Sequence, residues 1–462
     1  MVEHYHFVTG RLAEHSLREQ LRELAGGIDF TYTIDVLPIT VAALMTPQWI
    51  ASRVKVPSET TRIMLPGYCE GDVAELEMTA SVPVERGPRD LRQLPEYFGR
   101  EDLASSGYGE HDIEILAEIN HAPRLPLKQI LRQAEQLRDS GADVLDIGCD
   151  PGEAWSEVGA CVKVLCDAGH RVTIDSFNPK EIEPAVRAGA ELVLSVNASN
   201  REAAADWGCE VVVIPDDLAT LGGLDETLGS LQLADVPFRI DPVLEPIGCG
   251  FAASLGRYLE VRQRYPDAEM MMGIGNLTEL TDADSAPINV LLLGICQELG
   301  IRSVLTTQVI NWARSSVKEC DLARRLVHFA IQRRTPPKHL EPGLVMLRDP
   351  KLRQRGADLD RLATQLKDKN YRLFAEEEQL HLITSGLHLQ DNDPFALFEA
   401  LLATSPKNMD PTHAFYLGFE LSKALTALTL GKHYEQDEAL DWGFLTANEQ
   451  HHRLSRKQPE SS

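Results

Sequence analysis

The sequence lacks the features that would mark a membrane-bound or secreted protein. It has no run of about 18 consecutive apolar residues, which is the length that a membrane-spanning helix needs. The first residues, MVEHYHFVTGRLAEH, contain neither the basic segment nor the apolar segment of a signal peptide. We therefore expect a cytoplasmic protein that has no membrane partner.

Positive charge is also scarce. The chain has 45 Lys and Arg against 70 Asp and Glu, which gives a formal net charge of −25. Because affinity for a phosphate backbone depends on clustered Lys and Arg, this balance argues against a nucleic-acid partner. The 8 cysteines form no Cys-x-x-Cys pair, and no histidine cluster has metal-ligand spacing. We predict reduced thiols and no resident metal.

What the sequence does contain is a long alternation of apolar strands and amphipathic helices. Eight β/α rounds follow one another between residues 113 and 332, which is the number that a closed (β/α)8 barrel requires. Glycines in SGADVLDIG, AGAELVLSV and WGCEVVVIP are expected to end a helix before each buried strand. A doubly wound open sheet is the alternative arrangement of the same elements.

The predicted fold class is α/β, with a central TIM barrel over residues 109–335. Residues 1–108 also alternate strands with helices, which predicts an open, Rossmann-like α/β domain with a parallel sheet. Residues 345–462 predict a small C-terminal α+β domain with strands at NYRLFA and LHLI. Within the first domain we expect one helix at ITVAALMTPQWIASRV and a connector over 81–111.

Polar residues recur at the predicted C-terminal ends of the barrel strands, where barrel enzymes place their active sites. Crowded acids repel one another, so their pKa values should rise unless a ligand supplies hydrogen-bond donors. A pterin would do so, because its pyrimidine edge carries N–H groups. A single aspartate at such a position is more often a helix N-cap than a binding residue. The whole set, however, predicts a binding site. The set is Asn120, Asp146, Asp175, Ser176, Asn197, Asp216, Asp217, Asp241, Asn276, Thr306 and Thr307.

Several of these residues lie in motifs that resemble a known family. INHAP, GADVLDIG, VTIDSFNPKEIEPAVRAGAELV and FRIDP resemble, in order, the signatures of dihydropteroate synthases and the related pterin-binding methyltransferases. The resemblance implies a transferase in which Asp175, with Ser176, and Asp241 bind the pterin. It also implies that Asp146 orients the site and that Asn120 lies by the leaving or transferred group.

The sequence departs from the synthases where those enzymes hold a diphosphate leaving group. Gly275-Asn276-Leu277 replaces a Ser-Arg-Lys run at the seventh strand, and the cationic pair of the eighth strand is missing. The fourth-strand asparagine of the synthases is also missing, and Asn197 is a nearby substitute. Mg²⁺ bound with the diphosphate would compensate its charge. Other candidates, unless they only line solvated helix faces, are Arg124, Lys128, Arg314 and Lys318.

The run GIGNLT resembles instead the corrinoid methyltransferases that bind methyltetrahydrofolate, which would make Asn276 a pterin contact. The outer motifs VTGRLAE, MLPGYCEGD and HAFYLGFELSKALTALTLGKHYEQDEALDWG resemble a synthase-related family of archaea and bacteria that use tetrahydromethanopterin. In the last motif His413, Tyr416, Glu420 and Lys423 share one helical face, which is either a ligand site or a packed polar seam.

The resemblance implies an enzyme of tetrahydromethanopterin biosynthesis. Its expected substrates are a dihydropterin-6-ylmethyl diphosphate and an arylamine such as ribofuranosylaminobenzene phosphate. The alternatives are a methyltransferase that uses methyl-tetrahydromethanopterin and a pterin-binding protein without catalysis. A homodimer is expected only by analogy with related synthases. A further expectation is a phosphate site in the first domain, where Thr9-Gly10-Arg11 and Pro66-Gly67 end predicted strands.

Overall fold

A computed structural model describes residues 2–27, 30–100, 108–338, 340–345, 356–406 and 409–440. Its strands form three sheets: a 4-stranded sheet, a closed barrel and a second 4-stranded sheet. The predicted α/β class with a TIM barrel is therefore confirmed. The domain limits 1–108, 109–335 and 345–462 stay predictions. Within the described part of the chain, no helix combines the length and the apolar character that crossing a bilayer requires.

The N-terminal sheet is open and parallel, with the strand order β2-β1-β3-β4. Its strands are β1 (Glu3–Thr9), β2 (Phe30–Val36), β3 (Arg62–Leu65) and β4 (Val84–Arg86). Its helices are α1 (Glu14–Ala25), α2 (Pro47–Ala51), α3 (Ala74–Ala80) and α4 (Leu94–Tyr97), with 3-10 turns at Ala42–Leu44 and Leu91–Gln93. Apolar clusters cover both faces, one containing Leu21 of α1 and the other containing Ile50 of α2 and Leu76 of α3.

Two predictions for this domain were wrong. The single helix expected at ITVAALMTPQWIASRV is a 3-10 turn followed by the short α2, because Pro47 cannot lie inside a helix and starts a new one. The Thr46 side chain caps α2 by accepting a hydrogen bond from the Trp49 N–H at 3.3 Å. The expected connector over 81–111 contains β4 and α4, so the sheet gains a fourth strand.

The barrel closes through pairing of its eighth strand with its first, which rules out the doubly wound alternative. The glycines after three barrel helices have positive φ, for example +118° at Gly189, as the predicted helix ends require. Its strands are β5 (Glu114–Ile119), β6 (Val144–Gly148), β7 (Val172–Asp175), β8 (Leu192–Val196), β9 (Glu210–Val213), β10 (Phe238–Ile240), β11 (Glu269–Gly273) and β12 (Ser303–Thr306). Its helices are α5 (Leu127–Asp139), α6 (Val158–Asp167), α7 (Pro179–Ala188), α8 (Arg201–Ala204), α9 (Leu224–Leu233), α10 (Phe251–Arg264), α11 (Gly275–Thr278), α12 (Ser285–Leu299) and α13 (Ser316–Gln332).

The barrel interior is layered. At its lower end, Arg239 of β10 pairs with Glu210 of β9 at 2.5 Å and reaches Glu114 of β5 at 3.3 Å. Arg171 also pairs with Glu114, at 2.6 Å. Above these paired charges lies an apolar layer that includes Leu116, Val144, Leu194, Val212 and Met271. Because side chains alternate along a strand, the next interior residues up belong to the upper mouth.

The C-terminal sheet is antiparallel, with the order β15-β14-β13-β16. Its strands are β13 (Arg372–Glu376), β14 (Gln379–Thr384), β15 (Leu387–Asp391) and β16 (Tyr434–Glu435). The helices are α14 (Gly356–Gln365), α15 (Pro394–Ala403) and α16 (Pro411–Thr429), and a 3-10 turn spans Pro342–Leu344. The strands β13 and β14 and the helix α16 were predicted from the sequence, whereas β15 and β16 were not.

Candidate active site

Three carboxylates meet at the upper mouth of the barrel. Strand register places Glu118 of β5 opposite Asp146 of β6, and Gly148 of β6 opposite Asp175 of β7. Glu118, Asp146 and Asp175 each place an oxygen within 4.8 Å of the others. A Cβ at Gly148 would lie only 2.6 Å from Glu118 Oε1, so glycine at that position leaves room for the Glu118 side chain.

Burial and mutual repulsion shift the pKa values of this acid cluster. Desolvation, with the charges of Asp175 and Glu279, raises the pKa of Glu118 to about 8. Burial raises the pKa of Asp175 to about 6. The pKa of the fully buried Asp146 also lies well above its ordinary value, although a 2.5 Å hydrogen bond from Thr173 Oγ1 opposes the shift. Burial and repulsion therefore favour retention of a proton within this acid cluster.

Asp146 keeps one oxygen without a partner. Its Oδ1 accepts the Thr173 bond, whereas its buried Oδ2 accepts no hydrogen bond in the described structure. A buried polar atom left unpaired costs about 1–3 kcal/mol, so this cluster favours a ligand that supplies N–H groups or positive charge. Three carboxylates also suit a hard cation such as Mg²⁺. Within the described residues these three acids can hold a metal, at a place that cysteine and histidine spacing could not reveal.

Asp241 follows β10 and is held by hydrogen bonds from its own loop, from α10 and from the backbone of Gly273 in β11. Its Oδ1 accepts hydrogen bonds from Tyr258 Oη at 2.5 Å and from the Val243 N–H at 2.8 Å. A Cβ at Gly273 would lie 3.6 Å from Asp241 Oδ2 and 3.7 Å from Asn276 Nδ2, so both polar groups border the space that this glycine leaves. Burial raises the pKa of Asp241 to about 6. Asp241 and Asn276 thus lie at one place, where the Asn276 amide donates to the Leu244 carbonyl at 3.0 Å, and the pterin contacts of both residues stay predictions.

Arg257 of α10 fixes the loop that carries Asp241. Its guanidinium donates to the carbonyls of Pro242 at 3.2 Å and Val243 at 2.8 Å, and it pairs with Glu245 at 2.8 Å. The Arg257 side chain is buried, so its charge serves this loop and is not offered to a ligand. Arg257 is therefore a positioning residue.

Asn120, directly after β5, has a buried Oδ1 without a hydrogen-bond partner in the described structure. A ligand that donates a hydrogen bond would satisfy this oxygen. Ser176 has both bonding capacities engaged, because its hydroxyl donates to Glu181 at 2.5 Å and accepts from the Asn178 N–H at 3.0 Å. Asn197 Oδ1 accepts from the N–H and the hydroxyl of Ser199 and stabilises a local turn. A serine hydroxyl has a second acceptor position and an asparagine side chain has a separate amide nitrogen, so the binding roles of Ser176 and Asn197 stay predictions.

The predicted replacement cations lie outside the acid cluster. Arg124 forms two hydrogen bonds with Asp150, at 2.7 and 2.8 Å, so its charge is already compensated. Arg314 is exposed, and its Nη2 lies 3.2 Å from the Cβ position of Gly431 in the C-terminal domain. Lys128 and Lys318 are exposed on helices α5 and α13. None of these four cations contributes to the pKa shifts of the acid cluster, and their roles at a diphosphate stay predictions.

The C-terminal helical face is a packed polar seam. Glu420 accepts hydrogen bonds from Tyr434 Oη at 2.5 Å and the Asp437 N–H at 2.9 Å. Lys423 donates to the Glu438 carbonyl at 2.6 Å, and Tyr416 donates to Asp437 at 2.8 Å. These contacts join α16 to β16 and the turn after it and fit the structural alternative for Glu420 and Lys423, whereas His413 and Tyr416 line a cavity.

Three residues of the site were not predicted from the sequence: Glu118, Arg257 and Tyr258. A signal for Glu118 was present in the sequence. Leu116, Glu118 and Asn120 occupy every second position of the apolar strand ILAEIN, so their side chains point to the same, interior face. No comparable signal marks Arg257, because its contacts with Pro242 and Val243 are made only in the folded chain.

Comparison with known proteins agrees with this geometry. Residues 120–219 match the family model of pterin-binding enzymes, and residues 3–89 match a family of unknown function, DUF6513. An uncharacterized protein of Methanocaldococcus jannaschii is 25% identical over 529 aligned positions, covering 93% of this chain and 97% of that protein.

Solved structures with a similar chain course include two dihydropteroate synthases. The Yersinia pestis enzyme with a pterin–sulfa conjugate is 19% identical, with a TM-score of 0.39, covering 48% of this chain and 94% of that one. The Thermus thermophilus enzyme in complex with 4-aminobenzoate is 18% identical, with a TM-score of 0.35, covering 47% of this chain and 94% of that one. Within the barrel, residues 120–219 are thus similar to pterin-binding enzymes.

Proposed function

We propose that the protein is a transferase that joins a dihydropterin-6-ylmethyl diphosphate to an arylamine. The observation that carries the proposal is the pair of acceptors at the barrel mouth. Asp175 belongs to the acid cluster, and Asp241 presents its Oδ2 beside Asn276. Carboxylates of this kind accept hydrogen bonds from the N–H groups of a pterin's pyrimidine edge, and charge-assisted bonds are the stronger ones.

The pathway assigned to this reaction is tetrahydromethanopterin biosynthesis, with ribofuranosylaminobenzene phosphate as the arylamine. The support is the resemblance of the outer motifs to a family that uses this cofactor; the relative in Methanocaldococcus jannaschii, which aligns with 93% of the chain, is itself uncharacterized. A phosphorylated amine is bulkier than a simple aminobenzoate. The changed ends of the seventh and eighth strands are consistent with such a substrate.

The reaction needs no protein nucleophile. The amine nitrogen attacks the exocyclic methylene carbon, the carbon–oxygen bond to the diphosphate breaks, and the amine loses a proton. The barrel contributes by holding the pterin ring in one orientation, which raises the effective concentration of the methylene group at the amine. Asp241, fixed by Tyr258 and by the loop that Arg257 holds, supplies that orientation.

The departing diphosphate develops negative charge close to an acidic mouth. Because Arg124 is already paired with Asp150, its compensation of that charge would require the pair to open. Mg²⁺, held by oxygens of Glu118, Asp146 and Asp175, would supply the missing positive charge when bound. The unpartnered Oδ2 of Asp146 fits such an ion.

The same observation favours a second candidate, a methyltransferase that uses methyl-tetrahydromethanopterin. Methyl transfer releases no diphosphate, so it needs no cation to compensate a diphosphate charge. The acidic mouth and the pairing of Arg124 with Asp150 would therefore not hinder this reaction. Asn276 would then contact the pterin next to Asp241. This candidate keeps the pterin site of the first one and changes only the transferred group.

Incubation of the full chain with Mg²⁺, dihydropterin-6-ylmethyl diphosphate and either 4-aminobenzoate or the arylamine phosphate tests the proposal. We expect diphosphate release and a condensed pterin–arylamine product by mass spectrometry. Asp241→Asn should abolish turnover, and Asp139→Asn, on an exposed part of α5, should leave it unchanged. In a parallel incubation with a methylated pterin and a reduced corrinoid as methyl acceptor, transfer of the methyl group to the corrinoid without condensation would select the second candidate. Pterin binding without either reaction would contradict both enzymes.

A further inference from the structure

The N-terminal sheet carries a cavity that the proposed reaction does not use. The cavity has a volume of about 160 Å³ and lies at the C-terminal edge of the sheet, between the ends of β1 and β3. Its wall is mainly apolar and includes Phe7, Leu17, Met64, Leu91 and Leu94. All of its lining residues belong to the segment 7–94, so the N-terminal domain forms the cavity by itself.

The strand order places this cavity where open α/β sheets bind ligands. In the order β2-β1-β3-β4, the chain leaves β1 toward β2 on one side and leaves β3 toward β4 on the other. The helix α1 that follows β1 packs in one apolar cluster, and the helix α3 that follows β3 packs in the other. The two loops therefore separate above the sheet and leave a crevice, which is the usual position of a ligand in such folds.

The rim of the crevice supplies a few polar groups. Arg89 lines it, lies 5.4 Å from the centre of the Tyr68 ring and makes only a long 4.0 Å pair with Glu70. Thr9 lines it with a hydroxyl whose one described contact is a long 3.5 Å bond to the Gly10 carbonyl. Ala13, the N-cap of α1, also lines it and offers no side-chain acceptor to the first N–H groups of that helix. All of these groups favour an anion at the rim.

Glycine and exposed apolar residues shape the mouth. A Cβ at Gly67 would lie 2.4 Å from the backbone of Pro88, so only glycine lets the loops after β3 and β4 approach this closely. Leu12 and Leu44, next in sequence to the lining residues Ala13 and Ala43, are 57% and 71% exposed. Apolar side chains around an apolar opening are typical of a ligand site.

We propose that this crevice binds a small ligand composed of one aromatic ring with an anionic substituent, such as an aryl carboxylate or an aryl phosphate. The size supports a single ring, because a dry apolar cavity of about 150 Å³ is known to hold benzene. The ring occupies the apolar wall and the anion faces Arg89. This site is separate from the barrel mouth and does not depend on the reaction proposed for it.

Fluorine NMR of 4-fluorophenyl phosphate and 4-fluorobenzoate with the full chain tests the site. We expect saturable line broadening with a Kd on the order of 0.1–1 mM, as for a ligand of this size. Inorganic phosphate at the same concentration should not compete, because it lacks the ring. The double variant Asp175→Asn/Asp241→Asn should still bind both probes, which separates this site from the pterin site.

Three variants assign the binding to the crevice. Ala43→Trp places a large ring at an exposed position of the mouth and should weaken binding at least about tenfold. Arg89→Gln should weaken both anions about tenfold and leave binding of neutral fluorobenzene unchanged. Arg22→Gln is the matched control, since the Arg22 side chain is 69% exposed on α1 and does not line the cavity.

Two results would overturn the proposal: the absence of broadening with either probe, and broadening that Ala43→Trp leaves unchanged while that variant melts like the parent protein. Binding that is lost in the double aspartate variant but kept in Ala43→Trp would place the aryl anion in the barrel and would equally contradict it.

Discussion

Replacing Glu118 by glutamine should stabilise the ligand-free protein at alkaline pH. Burial, Asp175 and Glu279 raise the pKa of Glu118 from its ordinary 4.5 to about 8. The folded chain therefore holds this proton more tightly than the unfolded chain does. The resulting stabilisation is complete below pH 4.5 and is lost as the pH rises through about 8. Glutamine has no proton to lose, so the variant should escape this loss.

The expected size of the effect follows from the shift. Each pKa unit corresponds to about 1.4 kcal/mol, so a shift from 4.5 to about 8 amounts to at most roughly 5 kcal/mol above that pH. Because Glu118 shares its repulsion with Asp146 and Asp175, the gain from one substitution should be smaller, about 2–3 kcal/mol. In a domain of this size such a gain raises Tm by several degrees.

Calorimetric melting of the parent and Glu118→Gln proteins at about pH 5.5 and about pH 8.5 measures the effect. We expect similar Tm values at the lower pH and a clear advantage of the variant at the higher pH. Hydrogen exchange of the β5 amides assigns the change to the barrel, because a chain with several domains need not unfold in one step. Glu114→Gln, on the same strand, is the contrasting control. Glu114 pairs with Arg171 and Arg239, so that variant should be less stable at both pH values. An equal change for Glu118→Gln at both pH values would refute the reasoning, since it would mean that Glu118 does not titrate in this range.

Further predictions concern the pterin site. Asp175→Asn and Asp241→Asn should each weaken binding of 6-hydroxymethyl-dihydropterin about 10- to 100-fold in calorimetric titrations, as expected for lost bonds to a charged acceptor. Binding by the parent protein should tighten as the pH rises through about 6, because Asp175 and Asp241 must be ionised to accept the pterin's N–H groups; weakening over that range would contradict this binding mode. Arg257→Met should raise KM for the pterin more than it lowers kcat and should expose the loop 242–245 to proteases. Arg264→Met, which removes only partly exposed ion pairs on the same helix, should do neither.

The barrel could be predicted because its strands are buried on both faces and so appear as apolar runs between amphipathic helices. The short strands were harder to find. β4 has three residues and lies in a segment rich in Pro and Gly, and β16 has two. Such strands form because a neighbouring strand is already in place, which is a tertiary effect that local sequence does not record. The helix expected around Pro47 failed for a local reason, since a proline at that position starts a helix.

The candidate site was predictable where strand ends were predictable. Asp175 and Asp241 were found because each lies at or next to the end of an apolar strand, and Asp146 was found because it lies in the motif GADVLDIG. Glu118 was missed because it lies in none of the motifs singled out in the sequence, and its importance depends on a register that sets it opposite Asp146. The local roles of Ser176 and Asn197 could not be foreseen either, since their partners Glu181 and Ser199 are brought within reach only by the turn geometry.

The two ends of the barrel show why the acid cluster indicates a ligand site. At the lower end, Glu114 and Glu210 are half-buried beside Arg171 and Arg239, and each carboxylate has a cation within 3.3 Å. The same fold can therefore compensate acids in its interior where stability is the only requirement. At the upper mouth the pKa values of Glu118 and Asp175 are raised, and no described cation contributes to either shift. Uncompensated burial lowers the stability of the ligand-free chain, so a structural role cannot account for it. A ligand that brings N–H donors or positive charge would remove this destabilisation when it binds. Ligands without such groups would not remove it, so the acid cluster selects for ligands that carry them.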